Sequence, residues 1–384
     1  MTHRERLMAV LRYEPYDALP VVHFGFLADT LMKWAKEGHL TEEEARGYAD
    51  GNPIDLIVCE KLGFDFDYHR LFKPNSGLLP AFQSRVIEEF PDGRRHVLNG
   101  QGVVVLHVPG AGSIQPDVDH LLKDRAAWEE HYLPKLQFSM DRIGKAVIRV
   151  GDEMVSFENG ADEFLRSGER EEAIGLHCGS LYGTIRNWLT FEGACYMLVD
   201  DEPLLDEIIE TNAELQYACA KAALDTGATF DFAHFWEDIC FKNGPLISPS
   251  VFEKKIGPHY RRITELVSSH GIDIVSLDCD GLIDSLIPTW FHNGVNTMFP
   301  IEVGTWGASI APWREAYGKE LRGVGGMDKR VFARDTAAVD AEIDRLRPLI
   351  ALGGYLPCPD HRIPPDAHWD NVRYYCDRMH EEFG

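Results

Sequence analysis

Positive charge is in short supply in this chain of 384 residues: 38 Lys and Arg face 62 Asp and Glu, a net charge of −24. So acidic a surface repels phosphate backbones and anionic bilayers, and no basic cluster overturns that, so nucleic-acid binding is excluded as an expectation. No apolar run approaches the ~20 residues that cross a bilayer. The first residues, MTHRERLMAVLRYEP, are charged and helical rather than a secretory leader. None of the eight cysteines forms a CxxC pair. They read as thiols in a reducing compartment, and the expected location is the cytoplasm. No GxGxxG follows an early strand, which argues against dinucleotide binding. Internal repeats, low-complexity tracts and Gly/Ser linkers are also missing.

What is present is alternation. Thr2 and Glu5 form a capping-box pair ahead of Leu7, Val10 and Leu11, so a first helix is expected, closed by Pro15. LPVVHFGF (19–26) reads as a buried strand, and residues 29–62 as helix broken at 51–53. Residues 81–108 alternate about PDG and predict an antiparallel hairpin. Residues 117–172 are expected to be a mostly helical insertion. From 173 the rhythm is regular, with strands at 173–178, 229–235, 272–278, 295–300, 321–326 and 353–357. Helices are expected at 203–226, 249–270, 282–291, 336–350 and 367–382. Strands alternating with helices predict a parallel sheet, and about eight strands predict a single (β/α)8 TIM barrel over residues 1–384.

Barrel closure would gather the strand ends at one mouth. Those ends offer His23 and Phe24; His177 and Cys178; His234, Trp236 and Glu237; Asp278 and Asp280; Glu302; and Tyr355, Cys358, Asp360 and His361. In SLDCDG (276–281) the two carboxylates are two residues apart, so extended backbone points both to one face and Cys279 to the other. Carboxylates are too costly to bury unpaired, so the pair is expected to face a pocket, a metal or a cation. Asp278, Asp280, Glu302 and Cys358 could hold a divalent ion, zinc given the thiolate. The plainer alternative makes Asp280 the cap of the next helix. PCPDHRIPPD (357–366) cannot be helical and predicts a stiff loop beyond the last strand.

MTHRERLMAVLRYEPYDALPV, GSLYGTIRNWLTFEG (179–193) and GGYLPCPDHRIPPD together resemble the uroporphyrinogen decarboxylase-like superfamily. The resemblance implies one (β/α)8 barrel with its site at the C-terminal mouth. True decarboxylases carry an arginine motif after the first strand, where this chain has HFGFLADT. The other branch holds zinc-dependent methyltransferases serving corrinoid proteins or thiols, with His-x-Cys after a barrel strand and a distant Cys after the last. DCDG stands at the first place and Cys358 at the last, and Glu302 fits the Glu that cobalamin-independent methionine synthases add between them. The resemblance thus implies methyl transfer from a small O- or N-methyl compound to a corrinoid on a partner protein. Zinc would be the metal, and relatives are often homodimers. In that reading His361 or His234 protonates the leaving atom with Glu237 nearby, and His23, Phe24, His177, Trp236, Tyr355 and Asp360 hold the substrate. The alternatives are a metal-free carboxy-lyase and a non-catalytic ligand-binding barrel.

Overall fold

The computed structural model describes residues 1–110 and 115–384. Helix His3–Arg12 begins as expected. Thr2 Oγ accepts the Glu5 N–H, the Glu5 carboxylate accepts the Thr2 N–H, and Leu7, Val10 and Leu11 are buried. It ends before Pro15, at Tyr13 in the left-handed conformation.

The strands in chain order are β1 (Val22–His23), β2 (Phe66–Asp67), β3 (Leu71–Phe72), β4 (Arg85–Glu89), β5 (Arg95–Leu98), β6 (Val103–His107), β7 (Asp117–His120), β8 (Val147–Val150), β9 (Glu153–Ser156), β10 (Gly175–His177), β11 (Phe232–Trp236), β12 (Cys240–Phe241), β13 (Gly244–Pro245), β14 (Val275–Asp278), β15 (Thr297–Ile301), β16 (Arg322–Met327) and β17 (Tyr355–Pro359). Seven of them form one parallel sheet in the order β17-β16-β15-β14-β11-β10-β3, and β1 pairs with β2 in parallel. Tyr68–Arg70 joins β2 to β3. On the other side Phe26 bridges to Ile363 just beyond β17, through Leu27 N to Ile363 O (3.1 Å) and Ile363 N to Gly25 O (3.1 Å). This is a mixed α/β architecture consistent with a TIM-type barrel, its ladder interrupted at those two joints.

The interior is filled by aromatic rings. Tyr68 stacks on Phe232 (centroids 5.2 Å apart), Phe299 lies 5.0 Å from Tyr68, and the Tyr68 hydroxyl bonds Ser276 Oγ at 3.1 Å. These rings form a floor beneath the C-terminal ends of the strands.

Four expectations need correction. The 81–108 hairpin is part of a four-stranded antiparallel sheet, β4-β5-β6-β7, that runs on to His120. The 117–172 insertion is not mostly helical. It holds β7, the β8–β9 hairpin and short helical turns, the longest being Ala161–Ser167. Its charge suggested helix, but VIRV and EMVS alternate around a turn at Gly151 (φ +61°), which is hairpin chemistry. The 249–270 helix is two helices, Pro249–Lys255 and Gly257–Ser269, because Gly257-Pro258 interrupts it. The helix expected over 282–291 begins only at Ile287. The helices at Glu202–Asp225, Thr336–Ile350 and Trp369–Phe383 match their expected spans closely. All eight cysteines are free thiols, and no helix among the described residues is long and apolar enough to cross a membrane.

Candidate functional site

Above the aromatic floor lies a polar cavity of about 280 Å³. Seven of the expected residues line it: Phe24, His177, His234, Trp236, Asp278, Asp280 and His361. The pleat explains which side chains arrive there. On β11, His234 and Trp236 are two apart. At β14, Asp278 and Asp280 share the mouth face, while Cys279 turns away and accepts the Ile239 N–H. Gly281 makes the turn that follows, at φ +86°, where an added Cβ would lie 2.6 Å from the Cys240 carbonyl oxygen.

Five further mouth residues were not expected: Asp50, His69, Leu71, Lys73 and Arg362. His69 is the central one. Its Nε2 is 3.3 Å from Asp278 and its Nδ1 is 3.8 Å from Asp50. Burial alone would lower its pKa, but the two carboxylates outweigh burial and raise it to about 9. Asp50 also receives two bonds from the Arg362 guanidinium, at 2.8 and 2.6 Å. Burial opposes the Asp50 charge, yet Arg362 and His69 hold its carboxyl well below the usual range. His177 is pushed down to about 3 by burial, with Lys73 and His69 adding. Its Nδ1 accepts the Gly179 N–H at 3.1 Å. His234 is held neutral by burial and by the charge of His69. His361 Nε2 meets Asp280 at 3.2 Å, and this contact raises the imidazole pKa despite burial.

The other expected residues lie elsewhere. Glu237 is fully buried behind β11, one residue out of step with Trp236. It accepts the N–H groups of Leu181 (2.8 Å), Tyr182 (3.0 Å) and Gly183 (2.6 Å), the Ser180 hydroxyl (3.1 Å) and the Tyr260 hydroxyl. It fastens the chain where helix Gly183–Asp200 begins. Asp360 is fully buried and accepts Gly304 N (2.6 Å), Lys329 N and Lys329 Nζ. The Tyr355 hydroxyl donates to Gly325 O (2.8 Å) in the core. Glu302 accepts the Gly281 N–H and the Thr305 hydroxyl (2.8 Å). Cys358 is fully buried, its thiol pKa pushed well up by burial and then by Asp67 and Asp360.

Among the described residues, two groups have metal-ligand atoms all within 4.8 Å of one another: His23, Asp55 and Cys59, and His69, His234 and Asp278. The expected quartet of Asp278, Asp280, Glu302 and Cys358 is not brought into one such group, and Asp278 alone carries over. The first group sits outside the mouth, between β1 and helix Pro53–Leu62. Gly25 N–H donates to His23 Nδ1 at 2.9 Å, so Nε2 carries the imidazole proton toward Cys59 Sγ at 3.0 Å. Burial lowers the His23 pKa to about 3 and pushes Asp55 and Cys59 well up. That is a network of neutral groups sharing protons. The second group suits a cation. His234 Nδ1 is buried without a partner, and neither His69 nitrogen has a well-aligned hydrogen bond. Two imidazoles and a carboxylate are a zinc-type donor set, and Asp50 stands behind His69 Nδ1 as the outer carboxylate that orients such ligands.

A pH experiment checks the His69 environment. In metal-free protein, His69→Gln is expected to cost about 3 kcal/mol more at pH 6 than at pH 10. The sign follows from a folded pKa raised above the unfolded one: the stabilisation is complete below about 6.5 and lost as pH rises through about 9. Urea unfolding of both proteins in chelator across that range measures it, and a pH-independent difference would contradict the pairing.

No family model matches the chain, and no curated protein matches it. Among solved structures, a methyltransferase from Methanosarcina mazei superposes over 100% of both chains with a TM-score of 0.62 at 15% identity. A B12-independent methionine synthase from a Shewanella species, in complex with selenomethionine, covers 95% of this chain and 99% of its own at 11% identity and a TM-score of 0.47. The Methanosarcina likeness establishes a shared fold.

Proposed function

We propose that the protein is a methyltransferase that moves a methyl group from a small O- or N-methyl compound to a corrinoid carried by a separate protein. In this reading the strands work as a closed (β/α)8 barrel, and His69, His234 and Asp278 hold a zinc ion at its mouth. The observation that carries the reading is the convergence of those three side chains with an unpartnered buried imidazole nitrogen. When bound, such an ion acts as a Lewis acid toward the ether or amine heteroatom.

The chain's own groups do the rest. His361, whose protonated form the Asp280 contact favours against burial, delivers a proton to the departing oxygen or nitrogen. Phe24, edge-on to both His69 and His361, and Trp236 wall the substrate body and exclude water. Asp50 fixes His69 and is itself fixed by Arg362.

The test is incubation of zinc-loaded protein with reduced cobalamin and a panel of methoxyarenes and methylamines. Appearance of the methylcobalamin absorption spectrum with at least one donor is expected. Its absence across the panel, with the metal bound, counts against the reading. One observation favours a carboxy-lyase instead: Lys73 and Arg362 bring cations into a mouth that the first strand leaves without them. Release of CO₂ from a small carboxylic acid, with no methyl transfer, would select it.

A further inference from the structure

A second cavity, of about 510 Å³, adjoins the mouth and shares Asp50, Leu71 and Lys73 with it. In a chain of net charge −24 its walls are basic: Arg70, Lys73, Arg142, Lys145 and Arg149. Lys145 is offset by Asp141, and Asp50 by Arg362. Arg70 and Arg149 are 6% and 7% exposed and share a single carboxylate oxygen of Glu172, while the Nε of each is buried without a partner. Among the described residues Arg142 has no carboxylate within 4 Å. Its guanidinium donates to the carbonyls of Gln137, Asn75, Gly77 and Lys135. Lys73 is exposed and, among the described residues, has no carboxylate within 4 Å.

A staple fixing β8 to the start of β3 would need one arginine against Glu172. Here two buried arginines share one carboxylate and a third guanidinium is held by carbonyls alone, which is costly unless an anion completes the set, and the exposed Lys73 adds a further cation at the cleft's edge. The remaining walls, Leu71, Leu79, Val147, Ile148 and Met154, are apolar. We propose that this cleft is an anion subsite: it holds the carboxylate or phosphate end of an amphipathic organic substrate whose other end reaches the mouth past Lys73. The inference rests on reading the mouth as the reaction chamber, but it is tested by binding alone.

Isothermal titration of the full-length protein in chelator, so that no metal at the mouth can take the anion, compares at low salt 3-phenylpropanoate, phenyl phosphate and the uncharged 3-phenylpropanamide. Charge-assisted bonds predict that at least one anion binds about 10-fold or more tighter than the amide. The preference should shrink as salt is added. Whichever anion binds tighter names the source of the charge. Arg149→Gln and Lys73→Met are each expected to weaken anion binding about 5-fold or more while leaving the amide unaffected. Lys73 is exposed, so its variant keeps the test valid if Arg149→Gln fails to fold. Equal binding of amide and anions, no anion binding at millimolar concentration, or unchanged affinity in Lys73→Met overturns the proposal. Methyl transfer can fail with anion binding intact, and the reverse, so the two readings fall separately.

Discussion

Asp278→Asn is expected to lower the affinity of the mouth for Zn²⁺ by at least about 100-fold, because loss of an outer-shell partner alone costs 10–100-fold. The amide keeps the shape of the carboxylate but removes the only negative charge among the three proposed ligands. It also removes a partner that keeps His69 protonated in the metal-free protein. The strand should survive: Asp278 ends β14, and its main chain is held by pairing with Trp236 and Phe299. Competition against a chromophoric chelator measures the affinity. Asp280→Asn is the control. Its carboxylate faces His361 rather than the three ligands, so zinc binding should hold while turnover and its pH profile change. Equal zinc affinity in wild type and Asp278→Asn would remove the metal from the mouth.

Glu237→Ala should destabilise the fold by about 4 kcal/mol, since each buried polar group left unsatisfied costs 1–3 kcal/mol. Three consecutive backbone amides and two hydroxyls converge on this carboxylate, and alanine leaves all five without an acceptor. Burial raises the Glu237 pKa while the Tyr260 hydroxyl and the Gly183, Leu181 and Tyr182 amides lower it. Glu237→Gln retains one carbonyl acceptor and should lose less. Denaturant unfolding gives the number. A loss below about 1 kcal/mol would mean that water replaces the carboxylate, and that Glu237 is not the fastening described.

The contrast between Glu237 and the mouth residues shows what the sequence could and could not reveal. Side chains alternate along a strand, so once His234 faces the mouth Trp236 must too, and Glu237 must not. The same parity separates Phe24 from His23, His177 from Cys178, and Asp278 and Asp280 from Cys279. Grouping every polar residue near a strand end therefore mixed mouth groups with groups turned toward the surrounding helices. His69 was missed for another reason. FDFDYHRLF (64–72) alternates aromatic and polar residues as a half-buried strand does, but its pairing is split between β2 and β3, leaving no single apolar run to notice. His69, Leu71 and Lys73 keep the two-residue spacing and all line the mouth. Cys358 could not be sorted by alternation, because every residue of β17 is buried and both faces read alike, and Asp360 lies just past the end of that strand.

The size of the mouth also governs who must come to whom. A cup of 280 Å³ admits the reacting end of a small molecule and is far too narrow to swallow a tetrapyrrole ring. A corrinoid acceptor would have to be laid across the rim like a cover, cobalt side down. Free cobalamin could lie there unaided, a partner protein carrying the corrinoid would complete the enclosure, and the barrel with no corrinoid at all should sit idle on its substrate.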